Sequence, residues 1–258
     1  MIEILKHLAL GVVQGLTEFL PVSSSGHLAV LRTILGMKED LFVDVMLHFG
    51  TLVAVCVFYF RELVGLFRRD NRKTLLYLVI ATIPAVVVMA ALKFGFGLED
   101  FSAKYVCFGF LATGIVLLLT EIFGKKISDP KPLNGKSALV MGLAQAVAVF
   151  PGLSRSGSTI AAGVLSGTER DKVTKFSFFM SVPVIAGSAL VSVISLFTTE
   201  GATANLNLPA TLLGMVAAAL CGFFAIKVMI RLIGKCNFKW FSVYLFALAI
   251  VTFFTLFL

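Results

Sequence analysis

Residues 14–27, which read QGLTEFLPVSSSGH, and residues 145–159, which read QAVAVFPGLSRSGST, decide the fold. Each stretch interrupts a long apolar segment with a proline, glycines and hydroxyl side chains, and each carries at least one ionisable group. A charged side chain at membrane depth is costly, and non-helical backbone persists there only inside protein or along a watered cavity. The two stretches therefore predict a polar site buried within a membrane protein.

The composition favours a single helical membrane domain. Hydrophobic residues make up 59% of the 258 residues and charged residues only 14%, whereas about a quarter of a soluble globular chain is charged. The net charge of +8 lies mainly in short loops between apolar segments, which is typical of cytoplasmic loops and argues against nucleic-acid binding. The four cysteines lack the spacing of a metal site. We expect one membrane domain over residues 1–258 and no nucleic-acid partner.

Six uninterrupted apolar runs are about as long as a bilayer-spanning helix requires. They are residues 41–60, 75–93, 105–123, 176–197, 208–226 and 240–258. The segments 8–35 and 138–166 differ, because each reads as a helix, a polar turn and a second short helix. The sequence therefore predicts an all-α polytopic membrane protein with six transmembrane helices and two re-entrant helical hairpins.

The positive charges predict an orientation and, with it, an internal repeat. Lysine and arginine are concentrated after the first, third and fifth crossings and after the second hairpin, so these loops should be cytoplasmic and both termini external. A shift of 131 residues aligns Gly11 with Gly142 and Gln14 with Gln145. We expect an inverted-topology repeat, with repeat 1 at about residues 1–124 and repeat 2 at about residues 136–258. Transporters share this plan, so the fold alone does not separate a transporter from an enzyme.

The first hairpin combines groups suited to acid–base and phosphate chemistry. Gln14 and Glu18 are four residues apart and therefore share a helical face. Three serines, residues 23–25, precede a helix whose open N-terminus favours anions. Either a proton or a divalent cation such as Mg²⁺ or Ca²⁺ would reconcile Glu18 with an anionic ligand. His27 can transfer protons near neutral pH, and a serine is a nucleophile when a base reaches it.

The second hairpin adds a guanidinium to a similar turn. Arg155 offers a planar fork of donors that suits phosphate, and it lies among further hydroxyl groups at Ser154, Ser156 and Thr159. If the two hairpins face each other, their helix N-termini and Arg155 would hold a strongly anionic group. This pattern favours phosphoryl transfer to water.

Three motifs in these hairpins resemble one family. They are Gln-x-x-x-Glu at 14–18, Pro-Val-Ser-Ser-Ser-Gly-His at 21–27 and Pro-Gly-x-Ser-Arg-Ser-Gly-Ser-Thr at 151–159. They look like the motifs of the bacterial undecaprenyl-diphosphatase family associated with bacitracin resistance, and the resemblance covers the whole chain. It implies hydrolysis of undecaprenyl diphosphate to the monophosphate and inorganic phosphate, which recycles the lipid carrier of peptidoglycan synthesis. It also implies Mg²⁺ or Ca²⁺ as cofactor and a site open to the outer, periplasmic face of the plasma (inner) membrane.

The resemblance implies a role for each matching residue. Glu18 matches the family's acid and metal ligand, and His27 matches its histidine. Ser24 matches the proposed nucleophile and Arg155 the arginine that binds the diphosphate. Gln14 stands where some members have Glu, which removes one negative ligand. The remaining candidates for substrate binding are polar side chains of the same motifs, namely Gln14, Ser23, Ser25, Ser154, Ser156 and Thr159.

The residues also allow other interpretations. Glu18 and Arg155 could form only a structural ion pair, and the serines could only cap helices. Asp44 and His48, four apart in the first crossing, either line the cavity or satisfy each other. The rival function is an inverted-repeat transporter or polyprenyl-phosphate flippase. The expected partners are a polyprenyl diphosphate lipid and the bilayer, and a homodimer is left open.

Overall fold

The computed structural model describes residues 1–38, 40–92, 105–198, 207–233 and 237–257. This part of the chain is helical apart from its turns and one isolated parallel bridge between Lys131 and Thr168. The helices are α1 (Ile2–Glu18), α2 (Ser24–Leu35), α3 (Leu41–Phe58), α4 (Phe60–Gly65), α5 (Arg72–Ala90), α6 (Val106–Gly124), α7 (Gly135–Val147), α8 (Arg155–Leu165), α9 (Arg170–Thr198), α10 (Leu208–Ile233) and α11 (Lys239–Phe257). A short 3₁₀ turn, Arg69–Asn71, precedes α5.

Several helix ends are fixed by local capping groups. The Asp40 side chain accepts hydrogen bonds from the Phe42 and Val43 amides at the start of α3. Asn134 and Ser137 form a reciprocal capping box at the start of α7. The end of α2 is closed by Gly36, whose left-handed φ of 62° suits glycine. Because these groups satisfy the free amides and carbonyls of the helix ends, the helix boundaries are largely encoded in local sequence.

Within the described residues, five helical segments are long and apolar enough to cross a bilayer. They are Leu41–Phe58, Arg69–Ala90, Val106–Gly124, Arg170–Val191 and Leu208–Leu232, which match the first five predicted crossings. The sixth predicted crossing coincides with α11, whose apolar part, Lys239–Thr255, is shorter. The predicted ends of the second and sixth runs, residues 93 and 258, lie outside the described residues. The fold is that of a multi-pass helical membrane protein.

The first helix of each interrupted segment packs against a long helix. Helix α1 packs mainly against α10, and α7 packs mainly against α5. Gly11 lies directly on the backbone of Gly214, and Gly142 lies directly on the backbone of Ala81. A side chain at either glycine would collide with main-chain atoms, so these contacts require glycine.

An aromatic cluster fixes the position of the end of α1. Phe19 is fully buried and packs edge-to-face on Phe178 of α9, with ring centroids 5.3 Å apart. Tyr59 packs edge-to-face on Phe179 at 5.2 Å. Since Phe19 directly follows Glu18, this packing determines where the Glu18 carboxylate lies.

The turn before α8 is held against α6 by two glycines. Gly152 has a φ of 77° and lies against the backbone of Val106. Gly109 lies against the backbone of Pro151 and Gly152. Neither position leaves room for a β-carbon, and the positive φ at Gly152 disfavours any other residue. These contacts place the start of α8 deep among the helices.

Candidate active site

The Glu18 carboxylate is the point at which the two polar turns meet. It ends α1 and is only 7% exposed. Its Oε2 accepts hydrogen bonds from Gln14 Nε2 at 3.0 Å and Ser24 Oγ at 2.6 Å. Its Oε1 accepts from Arg155 Nη2 at 2.7 Å. Donors from α1, α2 and α8 therefore converge on one buried carboxylate.

A second set of contacts holds α8 in place. Ser156 Oγ donates to the Leu20 carbonyl at 2.8 Å, which joins the two broken segments directly. Arg155 Nη1 donates to the Ser177 carbonyl at 3.1 Å. Thr159 Oγ1 lies 2.7 Å from Ser177 Oγ. Helix α9 thus supports the guanidinium from behind, and Ser156 and Thr159 are committed to these structural contacts.

The backbone at Ser23 adopts an unusual conformation. Its φ is 67°, and it is the one non-glycine residue with a positive φ in the described ranges. Such a conformation costs on the order of 1–3 kcal/mol and is often found at functional sites. Ser23 Oγ accepts from the Gly26 amide at 3.3 Å, which caps α2. The strained turn presents Ser24, the next residue, to Glu18.

His27 forms a hydrogen bond with Tyr244 rather than with Glu18. Its Nδ1 lies 2.7 Å from the Ser23 carbonyl, which can only accept, so Nδ1 carries a proton. Its Nε2 lies 2.7 Å from the Tyr244 hydroxyl, and the two rings stack with centroids 5.8 Å apart. Sequence reasoning missed Tyr244, because it lies within an apolar run 217 residues from His27 and no spacing pattern connects them.

His48 also reaches the carboxylate. Its Nε2 lies 3.6 Å from Glu18 Oε2, and its Nδ1 lies 2.7 Å from the Asp44 carbonyl oxygen. The Asp44 side chain instead pairs with Arg32, with Oδ2 and Nη1 2.6 Å apart. Of the two alternatives for Asp44 and His48, the structure places His48 at the site and turns the Asp44 carboxylate to another partner.

Of the remaining serines in the motifs, one caps a helix and another is exposed. Ser154 Oγ accepts from the Gly157 amide at 3.0 Å and caps α8. Ser25 is exposed, with its hydroxyl 3.4 Å from Ser23 Oγ. Ser23 and Ser154 therefore act as helix caps, as one interpretation of the sequence expected.

Two buried amide side chains have polar atoms without a hydrogen-bond partner among the described residues. Gln14 is fully buried, and its Oε1 has no hydrogen-bond partner there. Gln145, which the 131-residue shift aligns with Gln14, is 2% exposed, and neither atom of its amide is paired within the same ranges. Unpaired buried polar atoms are rare. Gln14 Oε1 is therefore an acceptor available to a ligand at the site.

Fold and site together define a polytopic helical membrane protein with a buried carboxylate, guanidinium and hydroxyl where two broken helices meet. Comparison with known proteins agrees with this class. A family model described as "Bacitracin resistance protein BacA" matches residues 7–251. The chain belongs to the BacA family.

Relatives of known name match almost the whole chain. The chain is 36% identical to an undecaprenyl-diphosphatase of Halothermothrix orenii, with 96% of each chain covered. It is 39% identical to one of Rubrobacter xylanophilus, over 96% of this chain and 97% of the relative. It is 34% identical to one of Carboxydothermus hydrogenoformans, over 94% of each. The family resemblance predicted from the motifs is confirmed.

Proposed function

We propose that this chain is an integral membrane phosphatase that hydrolyses undecaprenyl diphosphate to undecaprenyl phosphate and inorganic phosphate. Membership of the BacA family and relatives named undecaprenyl-diphosphatase support this function. The observation that carries it is the 2.6 Å hydrogen bond from Ser24 Oγ to the buried Glu18 carboxylate, with Arg155 on the other oxygen. The reaction would recycle the lipid carrier of peptidoglycan synthesis and confer bacitracin resistance.

In the proposed reaction, Ser24 is the nucleophile and Glu18 the base. Ser24 Oγ attacks the terminal phosphorus, the bond from phosphorus to the bridging oxygen breaks, and undecaprenyl phosphate leaves. The hydroxyl proton passes to Glu18, with which Ser24 is already hydrogen bonded. Water then hydrolyses the phosphoserine and releases inorganic phosphate. A water molecule attacking in place of Ser24 is the competing route.

Arg155 has two successive partners in this proposal. Without substrate its Nη2 neutralises Glu18, and a bound diphosphate offers the guanidinium a stronger, bidentate partner. Transfer of Arg155 to the phosphate would free the carboxylate to accept the Ser24 proton. The structural ion pair and the catalytic role are therefore compatible. Arg155 pairs with Glu18 in the empty site and with the diphosphate when substrate is bound.

We place the substrate's phosphates between the N-terminal turns of α2 and α8. Helix N-termini favour anions, and both turns lie at the Glu18 site. Ser25 is the one exposed residue among the predicted substrate-binding residues. Ser23 and Ser154 would hold the two turns in shape as helix caps. Ser156 and Thr159 would fix the position of α8 through Leu20 and Ser177.

A divalent cation fits the oxygen donors at this site. Gln14 Oε1 is a buried acceptor without a partner among the described residues, and it belongs to the side chain that contacts Glu18. Carboxylate and amide oxygens are ligands that Mg²⁺ and Ca²⁺ accept. Glu18 and Gln14 would hold the ion. When bound, it would neutralise phosphate charge and make the phosphorus more electrophilic.

Proton transfer by His27 stays a prediction. Its two ring nitrogens are engaged by the Ser23 carbonyl and the Tyr244 hydroxyl. Donation to the leaving oxygen would require the ring to exchange Tyr244 for substrate. In the arrangement described here, His27 steadies the strained turn that presents Ser24.

We further propose that the six crossings and two re-entrant hairpins form an inverted-topology repeat. The matching contacts of α1 on α10 and of α7 on α5, each through a glycine on backbone, support this arrangement. The site would open to the periplasmic face of the inner membrane. An apolar cleft on α3 and α4 would suit the prenyl chain; it is lined by Phe49, Leu52, Val53, Cys56, Val57 and Phe60. A homodimer stays a prediction.

A phosphate-release assay tests the function. Purified protein in detergent receives undecaprenyl diphosphate with and without Mg²⁺ or Ca²⁺, and released phosphate is measured. We expect release by the wild type, strong loss in Glu18→Ala and Arg155→Ala, and normal release in Glu62→Ala, an exposed glutamate paired with Lys175.

The same assay separates the alternatives. No release by the wild type under any metal, together with movement of polyprenyl phosphate across vesicles, would favour the flippase. A phosphoserine trapped at Ser24 would assign the nucleophile, whereas near-normal turnover of Ser24→Ala would assign the attack to water.

A further inference from the structure

His48 faces the Glu18 carboxylate in a way that the proposed reaction does not use. The Asp44 carbonyl can only accept, so His48 Nδ1 donates to it. The other ring nitrogen, Nε2, faces Glu18 Oε2 at 3.6 Å, which is longer than a hydrogen bond. This pair is completed either by a proton on Nε2 or by a metal ion between the two atoms.

The surroundings of His48 match those of a metal-binding histidine. Such a histidine usually donates its other ring N–H to a carbonyl or carboxylate, which fixes the tautomer and ring orientation. His48 makes this bond to the Asp44 carbonyl. Asp44 is itself anchored by Arg32, which is only 4% exposed and joins α2 to α3. The ring is therefore held with Nε2 pointing at the carboxylate.

Gln14 supplies the third donor. No group of three His, Cys, Asp or Glu side chains able to hold a metal occurs in the ranges the structure describes, so a third protein ligand would be an amide, hydroxyl or backbone carbonyl oxygen. Gln14 Nε2 now occupies one lone pair of Glu18 Oε2, and Ser24 occupies the other. A half-turn of the amide exchanges its nitrogen and oxygen. That turn frees one lone pair of Glu18 and brings the unpaired Gln14 oxygen to the same place.

We infer that His48 Nε2 is a ligand of the divalent cation, together with Glu18 Oε2 and Gln14 Oε1. This inference rests on the proposed function, in which phosphate oxygens of the substrate and water fill the remaining positions. The imidazole would add a neutral donor atom to a site in which Gln14 provides no carboxylate. A nitrogen donor suits first-row transition ions better than Mg²⁺, so this site prefers Mn²⁺ to Mg²⁺.

The other two histidines of the chain are arranged differently. His27 has both ring nitrogens engaged. His7 makes the same kind of bond as His48, from Nδ1 to the Glu3 carbonyl at 2.8 Å, but it lies eleven residues before Glu18 in the same helix, about 16 Å along the axis. His7 is therefore a matched control for His48.

Electron spin echo spectroscopy of bound Mn²⁺ tests the inference directly. Chelator-treated protein in detergent is titrated with Mn²⁺, and the modulation from directly bound histidine nitrogen is recorded. We expect this signal in the wild type and in His7→Gln, a change of its pattern on ¹⁵N-histidine labelling, and its loss in His48→Gln. The Mn²⁺ affinity of His48→Ala should fall by roughly tenfold or more. The preference of this variant for Mn²⁺ over Mg²⁺ should also be smaller than that of the wild type.

The outcomes are decisive and separate from the proposed function. Absence of histidine modulation in the labelled wild type overturns the inference without any variant, so a misfolded His48→Gln protein would not leave it undecided. Histidine modulation that persists in folded His48→Gln overturns it as well, and its loss in His27→Gln would then assign the signal to His27. Phosphate release is measured on the same wild-type sample. Release without histidine modulation rejects the His48 ligand alone, whereas no release rejects the phosphatase.

Discussion

The side chains around Glu18 stabilise its negative charge, and in our proposal the carboxylate acts as a base only after Arg155 has moved to the substrate. Four side chains surround the carboxylate, from Gln14, Ser24, His48 and Arg155. Burying an unpaired carboxylate would cost several kcal/mol, so the guanidinium is needed for the empty site to be stable. The same guanidinium is the group best suited to draw the diphosphate in.

Replacement of Arg155 should lower stability, because it leaves Glu18 buried without its cation, and should also reduce catalysis in the protein that folds. We expect kcat/KM for undecaprenyl diphosphate to fall on the order of 100-fold or more in Arg155→Ala, because a donor to transition-state charge is lost. The kcat/KM of Arg155→Lys should lie between those of the wild type and Arg155→Ala, since lysine keeps the positive charge but not the planar fork of guanidinium donors.

A matched control for Arg155 comes from another ion pair of the chain. Arg170 pairs with the buried Glu121 at 3.2 Å, away from the site. Arg170→Ala should lower the thermal unfolding midpoint in detergent with little change in kcat/KM of the folded fraction. Equal kcat/KM losses in both variants would assign Arg155 to structure alone.

Tyr244 should act as a positioning residue for His27. Tyr244→Phe keeps a ring to stack on His27 and removes the hydroxyl that lies 2.7 Å from Nε2. We expect kcat to fall by up to about tenfold, the value of one hydrogen bond, with KM nearly unchanged and a displaced pH–rate profile. Tyr77→Phe, in α5, is the control and should leave both unchanged. A Tyr244→Phe profile identical to that of the wild type would contradict the role.

At the scale of the elements, the polar turns are placed by close contacts between helices and by strained turns. Helix α1 reaches α10 through Gly11, and α7 reaches α5 through Gly142. The turn before α8 lies on α6 through Gly152. These contacts leave no room for side chains, so the helix backbones lie at fixed positions. The distance between Glu18 and Arg155 is fixed as a result.

Alanine at the contact glycines should destabilise the fold. In Gly11→Ala and Gly142→Ala the new methyl group meets main-chain atoms, and we expect a loss of roughly 1–3 kcal/mol of stability. Gly187 in α9 has open space around its α-carbon. Gly187→Ala should be neutral or slightly stabilising, because alanine is the better helix former. Thermal unfolding midpoints in one detergent compare the three, and an unchanged midpoint in Gly11→Ala would argue against the described packing.

The whole molecule has five apolar helices able to cross a bilayer within the described residues, and our proposal adds α11 as a sixth crossing. In that arrangement the loops rich in lysine and arginine are cytoplasmic and the Glu18 site opens outward. The proposal therefore assigns a side of the membrane to each exposed loop.

Thiol labelling of intact cells tests this topology. In a variant without the four native cysteines, we expect Lys38→Cys to react with an impermeant thiol reagent added outside. Ser128→Cys should react only after the cells are opened. Both positions are exposed in the structure, so burial would not explain a lack of reaction. Reaction of both from outside would contradict the six-crossing arrangement.

The sequence predicted the helical class and five apolar helices long enough to cross a bilayer, and both predictions are confirmed for the described residues. They succeeded because apolar length is a local feature that can be read along one chain. The sequence also named Gln14, Ser24 and Arg155, which contact Glu18 in the structure, and their roles stay predictions. It left His48 undecided and gave no sign of Tyr244, since each acquires its meaning from a residue on another helix. It could not choose between capping and catalysis for the serines, because one hydroxyl pattern serves both.

By itself, the sequence determined that this chain is a membrane protein of broken helices and which polar groups those breaks carry. Hydrophobic length and the cost of burying charge leave few other options. Only the tertiary structure decided which of those groups touch. Contacts such as Arg155 on Glu18, Ser156 on Leu20 and Tyr244 on His27 depend on helix packing between residues far apart in the chain, which no local pattern specifies.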